Sequence, residues 1–224
     1  MFIFVLITLG LFALLQVVIQ TSQPFYQARP LSHWLAIYSD DATPKEEKIY
    51  ARNAVLSIGT NALPYVMEQL RRDTPDWRRK IYRRTTKPIR TNEFFESFFN
   101  GEGQNAYEAM MAFSLLGSNL QAAVPELTVL LNNTNRRISD RAIFALCAIG
   151  EKGFPILTNA LAETNRPNRV ALVAHIGWMS DEVGTNTVLP TLLNALNDDD
   201  PRVREKAKQV LLTISPVTIT NQTQ

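Results

Sequence analysis

The sequence predicts an all-α solenoid of about four to five stacked helix pairs, and three observations carry that prediction. One apolar frame, at i, i+3, i+4 and i+7, recurs along the chain and places each set on a single helical face. Glycine follows most copies of the frame, where a left-handed residue ends a helix. A proline then opens a second apolar stretch, and the prolines at 125, 155 and 190 stand 30 and 35 residues apart. A pair of helices at that period cannot bury its own apolar face and must stack on neighbours.

The chain opens with an uncharged apolar run at residues 2–19, FIFVLITLGLFALLQVVI. Eighteen residues at about 1.5 Å each span roughly 27 Å, close to the hydrocarbon thickness of a bilayer. No basic residue precedes the run and no Ala-x-Ala pattern follows it, which favours an uncleaved signal anchor over a cleaved signal peptide within residues 1–22. Residues 23–44 read as a connector. Within it LSHWLAIY, at 31–38, predicts a short helix with Trp34, Leu35 and Tyr38 on one side. Thr43, Pro44, Lys45 and Glu46 then predict a capping box at the start of the solenoid.

Within residues 45–215 the frame is Ala51, Ala54, Val55 and Ile58 before Gly59, then Ala109, Ala112, Phe113 and Leu116 before Gly117. It returns as Ala142, Ala145, Leu146 and Ile149 before Gly150, and as Ala207, Val210, Leu211 and Ile214. Val170, Val173 and Ala174 give a weaker copy closed by Gly177. Pro64, Pro125, Pro155 and Pro190 are each expected to open a second helix. Residues 72–105 interrupt the pattern, as a degenerate repeat or an inserted hairpin, and residues 216–224 form a tail.

The segment from Leu196 through Asn197, Asp198, Asp199, Asp200, Pro201, Arg202, Val203 and Arg204, running on to Ala207 and Leu211, resembles the HEAT-repeat signature. The resemblance implies that the second aspartate caps an inner helix, which proline begins. Asn132, Asn133, Thr134 and Asn135 replace the aspartates one repeat earlier, and Ser139 stands where arginine is expected. With YQARPLSHWL at 26–35 and IGTNALP at 58–64, the arrangement is similar to bacterial HEAT-repeat proteins that carry an N-terminal membrane segment.

Net charge is +2, yet residues 71–90 hold nine basic and two acidic side chains, a local +7 that leaves −5 for the rest. Arg78, Arg79, Lys80, Arg83 and Arg84 interleave there with Trp77, Ile81 and Tyr82. This block is either a solvated edge or a surface for anionic lipid, an anionic polymer or nucleic acid. Phe94, Phe95, Phe98 and Phe99 suit a helix burying its face. A single cysteine, Cys147, excludes an intramolecular disulfide and a cysteine-built zinc site, and reads as a small core residue. His33 and His175 lack companions at a metal-ligand spacing. The three aspartates at 198–200 suit capping and pairing with Arg204 better than calcium, because no glycine turn or distal glutamate completes an oxygen cage.

No nucleophile elbow, phosphate loop or zincin motif occurs, so no catalytic, cofactor or metal residues are assigned. The expected function is a non-enzymatic scaffold or adaptor at the cell envelope, its body on the exported, periplasmic side or secreted after cleavage. Its expected partner is another protein. The inner helices at 136–149 and 201–214 are expected to line the concave side, offering Arg137, Arg141, Arg202 and Lys206. Binding of a membrane surface or anionic polymer through the basic block is the alternative. A HEAT-like lyase or DNA glycosylase is a remote one.

Overall fold

The computed structural model describes residues 23–90 and 93–215, without the side chains of residues 90 and 93–100. The apolar run at 2–19, read as an anchor, and the tail at 216–224 lie outside the described residues. So do the side chains of Phe94, Phe95, Phe98 and Phe99. Among the described residues no helix is long and apolar enough to cross a membrane.

A small antiparallel ribbon, β1 (Phe25–Tyr26) and β2 (Arg29–Pro30), turns through Gln27 and Ala28 at positive φ. It feeds α1 (Leu31–Ser39), which buries Leu31, Trp34 and Leu35, while the Trp34 indole donates to the Tyr26 carbonyl at 3.3 Å. Helix α2 (Lys45–Ile58) starts where expected, but by a different device. Its N-cap is Pro44 with no side-chain cap, because the Thr43 hydroxyl turns back to Asp40 at 3.3 Å.

Beyond α2 the chain repeats one local sentence. A glycine at positive φ (Gly59, Gly117, Gly150) ends a helix, and a 3-10 turn follows. A short helix then begins with proline in its second position: α3 (Leu63–Arg71), α7 (Val124–Leu131) and α9 (Phe154–Ala162). Proline fits there because the first-turn N–H groups have no intrahelical acceptor.

The second helices are α6 (Glu93–Leu116), α8 (Arg136–Ile149), α10 (Arg169–Trp178) and α13 (Pro201–Ile214). Among the described residues five pairs result, α1 with α2, α3 with α6, α7 with α8, α9 with α10, and α12 (Thr185–Ala195) with α13. Successive second helices pack on one another, so α2, α6, α8, α10 and α13 form a continuous row. Its seams are lined by Ala51, Ala54, Ala109, Ala112, Ala142 and Ala145, all at most 1% exposed, and these small side chains bring the helices close. This is an all-α, HEAT-like solenoid.

Three expectations need correction. The frame in α10 is Arg169, Leu172, Val173 and Ile176, one residue out of register with Val170, Val173 and Ala174. Gly177 does not close that helix. It lies within α10 against Val210, and the short α11 (Ser180–Val183) with Gly184 at φ 88° makes the turn instead. Pro190 lies inside α12 rather than at its start.

The interruption sits between the two helices of the second pair. Helix α4 (Asp76–Arg84) and the short α5 (Lys87–Arg90) follow α3, and α4 packs on α6, the partner of α3.

Candidate functional site

The face that the row of second helices turns outward is set by what the frame leaves over. In α10 the buried set takes 169, 172, 173 and 176, so His175 and Trp178 point away from the core. Trp178 is 64% exposed, against 4% for Trp34. Its ring lies 4.6 Å from that of His175, which in turn meets Phe144 of α8 edge-on at 6.1 Å. Three rings from two adjacent second helices thus form one partly open aromatic patch.

His175 is held, not poised. Its Nδ1 lies 2.8 Å from the Ala171 carbonyl. Burial lowers its pKa, and the helix carbonyl and Asp140 offset this only in part, so the ring is neutral at pH 7. Cys147 stands nearby, its thiol 3.3 Å from the His175 carbonyl. Burial, with a smaller push from Glu182, raises this thiol to about 12, so almost no thiolate forms at neutral pH. Iodoacetamide is therefore expected to label Cys147 slowly in the folded chain and rapidly in urea. Equal rates, read by mass spectrometry, would contradict that environment.

The basic residues named from sequence divide into two groups. Arg79, Arg137 and Arg141 converge on Asp73, which follows α3. The Asp73 carboxylate accepts from Arg79 at 2.8 Å, from Arg141 at 3.3 Å and from the Asn135 amide at 2.7 Å. Arg141 also donates to the Arg72 carbonyl at 2.5 Å, and only 12% of its side chain is exposed. The expectation that Arg141 offers itself to a partner is corrected: it ties the second pair to the third. Burial opposes ionisation of Asp73. The bonds from Asn135 and Arg79 and the charges of Arg79 and Arg141 outweigh burial, so the carboxyl lies below its ordinary value. Arg78 pairs with Glu102 at 3.3 Å.

Arg137 remains half exposed, and the other group stays at the surface. Lys80, Arg83 and Arg84 are exposed on α4, and Arg202 and Lys206 are on α13, Arg202 paired with Asp200 at 2.8 Å.

The turns within pairs form a ladder of their own. Arg169 extends its guanidinium to Asp198 of the next turn, donating to Oδ1 at 2.7 Å and also to Oδ2, while its Nε donates to the Leu161 carbonyl at 3.1 Å. Arg204, expected as the inter-repeat partner, instead donates to the Asp198 and Asp199 carbonyls of its own turn. Asp200 caps α13 through the Arg202 N–H at 2.8 Å. One rung earlier, Arg166 reaches the Leu131 carbonyl and Asn132, and Asn168 donates to Ser139 at 2.8 Å. Amides and hydroxyls thus substitute for the acid–arginine pair there.

Clefts of about 370 and 410 Å³ lie between these turns, lined by asparagine, threonine and ion-paired side chains. A third, of about 450 Å³, lies between the ribbon, α1 and α2 beside Arg29, Trp34 and Tyr50. Among the described residues no group of three His, Cys, Asp or Glu side chains could hold a metal ion.

Residues 188–218, covering most of α12 and all of α13, match the family model for the HEAT repeat. No curated protein matches the chain significantly.

Proposed function

Because residues 188–218 match the HEAT-repeat family model, we propose that the chain is a non-enzymatic scaffold that binds another protein on the outward face of its second-helix row. In this reading residues 2–19 hold it at the cell envelope, with the body on the periplasmic side. A solenoid of this kind supports many roles, so the proposal rests on the surface rather than the fold. Trp178 carries it. A tryptophan 64% exposed, its ring tilted against that of His175, which in turn meets Phe144, is the residue type and setting that dominates protein interfaces when a partner covers it. The histidine and cysteine beside it support a binding role: one is neutral and spent on a backbone carbonyl, the other is a half-buried thiol raised to about 12.

The test is site-specific photo-crosslinking of the full chain in its own cells. A crosslinker at position 178 is expected to give a discrete protein adduct, whereas one at Val129, 70% exposed on α7 of the opposite row, gives none. Trp178→Ala should then weaken the isolated complex by about 2 kcal/mol or more, roughly thirty-fold. No adduct at 178, or equal adducts at both positions, would sink this reading.

A further inference from the structure

Helix α4 buries no residue, which is unusual for a helix in a packed array. Its inward side is occupied by ion pairs: Arg79 with Asp73 and Asp76, and Arg78 with Glu102. The outward side is Trp77, Lys80, Ile81 and Arg84, at i, i+3, i+4 and i+7, all exposed. Trp77 is 55% exposed and Ile81 43%. After Thr85 and Thr86, α5 adds exposed Lys87 and an Ile89 that is 51% exposed.

We infer that this face docks on an anionic lipid surface. Two features select lipid over other anionic partners. The apolar groups are large, tryptophan and isoleucine interleaved with lysine and arginine along one helical face, which is the composition that lies in a bilayer interface. A nucleic-acid groove would use such cations too, but has no use for two exposed isoleucines. Among the described side chains, the acids paired with this helix, Asp73, Asp76 and Glu102, are bound by Arg78 and Arg79, so the exposed cations Lys80, Arg84 and Lys87 are left to face an anionic headgroup layer. The same chain also supplies a reason for a bilayer to be near, since residues 2–19 form an uncharged run long enough to span one. One hydrophobic segment and one basic, partly apolar face together give the two-point attachment that fixes the orientation of a membrane-held body.

The test uses the full chain with Cys147→Ala and Ile81→Cys, labelled at position 81 with an environment-sensitive fluorophore. It is reconstituted in vesicles of phosphatidylcholine alone, or with an equal part of phosphatidylglycerol. The label is expected to shift to the blue and be quenched by spin-labelled lipid in the anionic vesicles. Lys80→Glu, Arg84→Glu and Lys87→Glu together should reduce that quenching about five-fold or more, because each cation removed takes away its attraction to the headgroups. These side chains are exposed, so thermal unfolding of the triple variant should match the parent. A label placed by Val129→Cys instead should stay unquenched. The inference is overturned if label 81 remains in water in anionic vesicles, if the triple variant is quenched as strongly, or if 129 is quenched equally. Protection of label 81 by RNA and not by vesicles would overturn it in favour of a nucleic-acid surface.

Discussion

Asp198→Ala is expected to lower the stability of the last helix pair by about 3–5 kcal/mol, the usual cost of leaving a buried charge without its partner. The arginine concerned is Arg169, whose side chain is 9% exposed, as is 6% of Asp198. Arg169 cannot retreat to solvent, because its Nε is bonded to the Leu161 carbonyl at the end of α9 and its stem fills the first slot of the buried frame. Removing Asp198 also frees the Asp200 N–H, which donates to its carboxylate at 3.0 Å. In a stack of repeats each pair contacts only its neighbours, so the damage stays local. Hydrogen exchange should show α12 and α13 losing protection while α7 and α8 keep theirs. Arg169→Met with Asp198→Leu should recover most of the loss, since an apolar pair of similar volume leaves no charge to desolvate. A single variant that exchanges like the parent, or a double variant no better than the single, would show that this contact does not hold the last two pairs together.

The case of Arg169 also shows where the sequence was readable and where it was not. Ala51, Ala54, Val55 and Ile58, and their counterparts ending at Leu116 and Ile149, are apolar at every slot, so periodicity alone identified those helices and their buried faces. In α10 the first slot holds an arginine, and a search for apolar residues slides to the neighbouring set. The arginine belongs in the core only because Asp198 waits 29 residues ahead, a pairing that no local spacing reveals. Asp73 poses the same difficulty: its partners Arg137 and Arg141 lie far along the chain, so Arg141, read as a binding surface, is fastened to it, while Arg137 pairs with it at 3.6 Å and stays half exposed. Trp178 had a usable signal. Once the α10 frame is set at 169, 172, 173 and 176, positions 175 and 178 fall on the free face, and an aromatic residue there asks for a reason. The shifted frame concealed it. The outward stripe of α4 was visible as composition, but its division into a paired side and an open side needed Glu102, Asp73 and Asp76 placed in space.

Glycine was read mainly as a device for positive φ, and that holds at Gly59, Gly117 and Gly150. The most demanding glycine in the chain has an ordinary helical φ of −82°. Gly153, just before α9, is buried, and a Cβ there would stand 1.9 Å from the Leu146 carbonyl oxygen and 2.7 Å from its carbon. Both atoms are backbone, in the last turns of α8, so no rotamer change relieves the overlap. Either α9 moves off α8 or the end of α8 deforms, and both routes open the core around Leu146 and Leu157, each fully buried. Gly153→Ala is therefore expected to cost about 3 kcal/mol or more, the upper range for overpacking a core. Gly59→Ala separates this steric demand from backbone conformation. A Cβ at position 59 meets nothing within 4 Å, so the substitution there carries only the backbone strain of an alanine at φ 59° and ψ −137°, a conformation favoured by glycine, about 1–3 kcal/mol. Urea unfolding of the two variants should place Gly153→Ala well below Gly59→Ala. If the order is reversed, α8 and α9 yield more easily than their backbone contact implies, and the seam between the third and fourth pairs is the soft point of the solenoid.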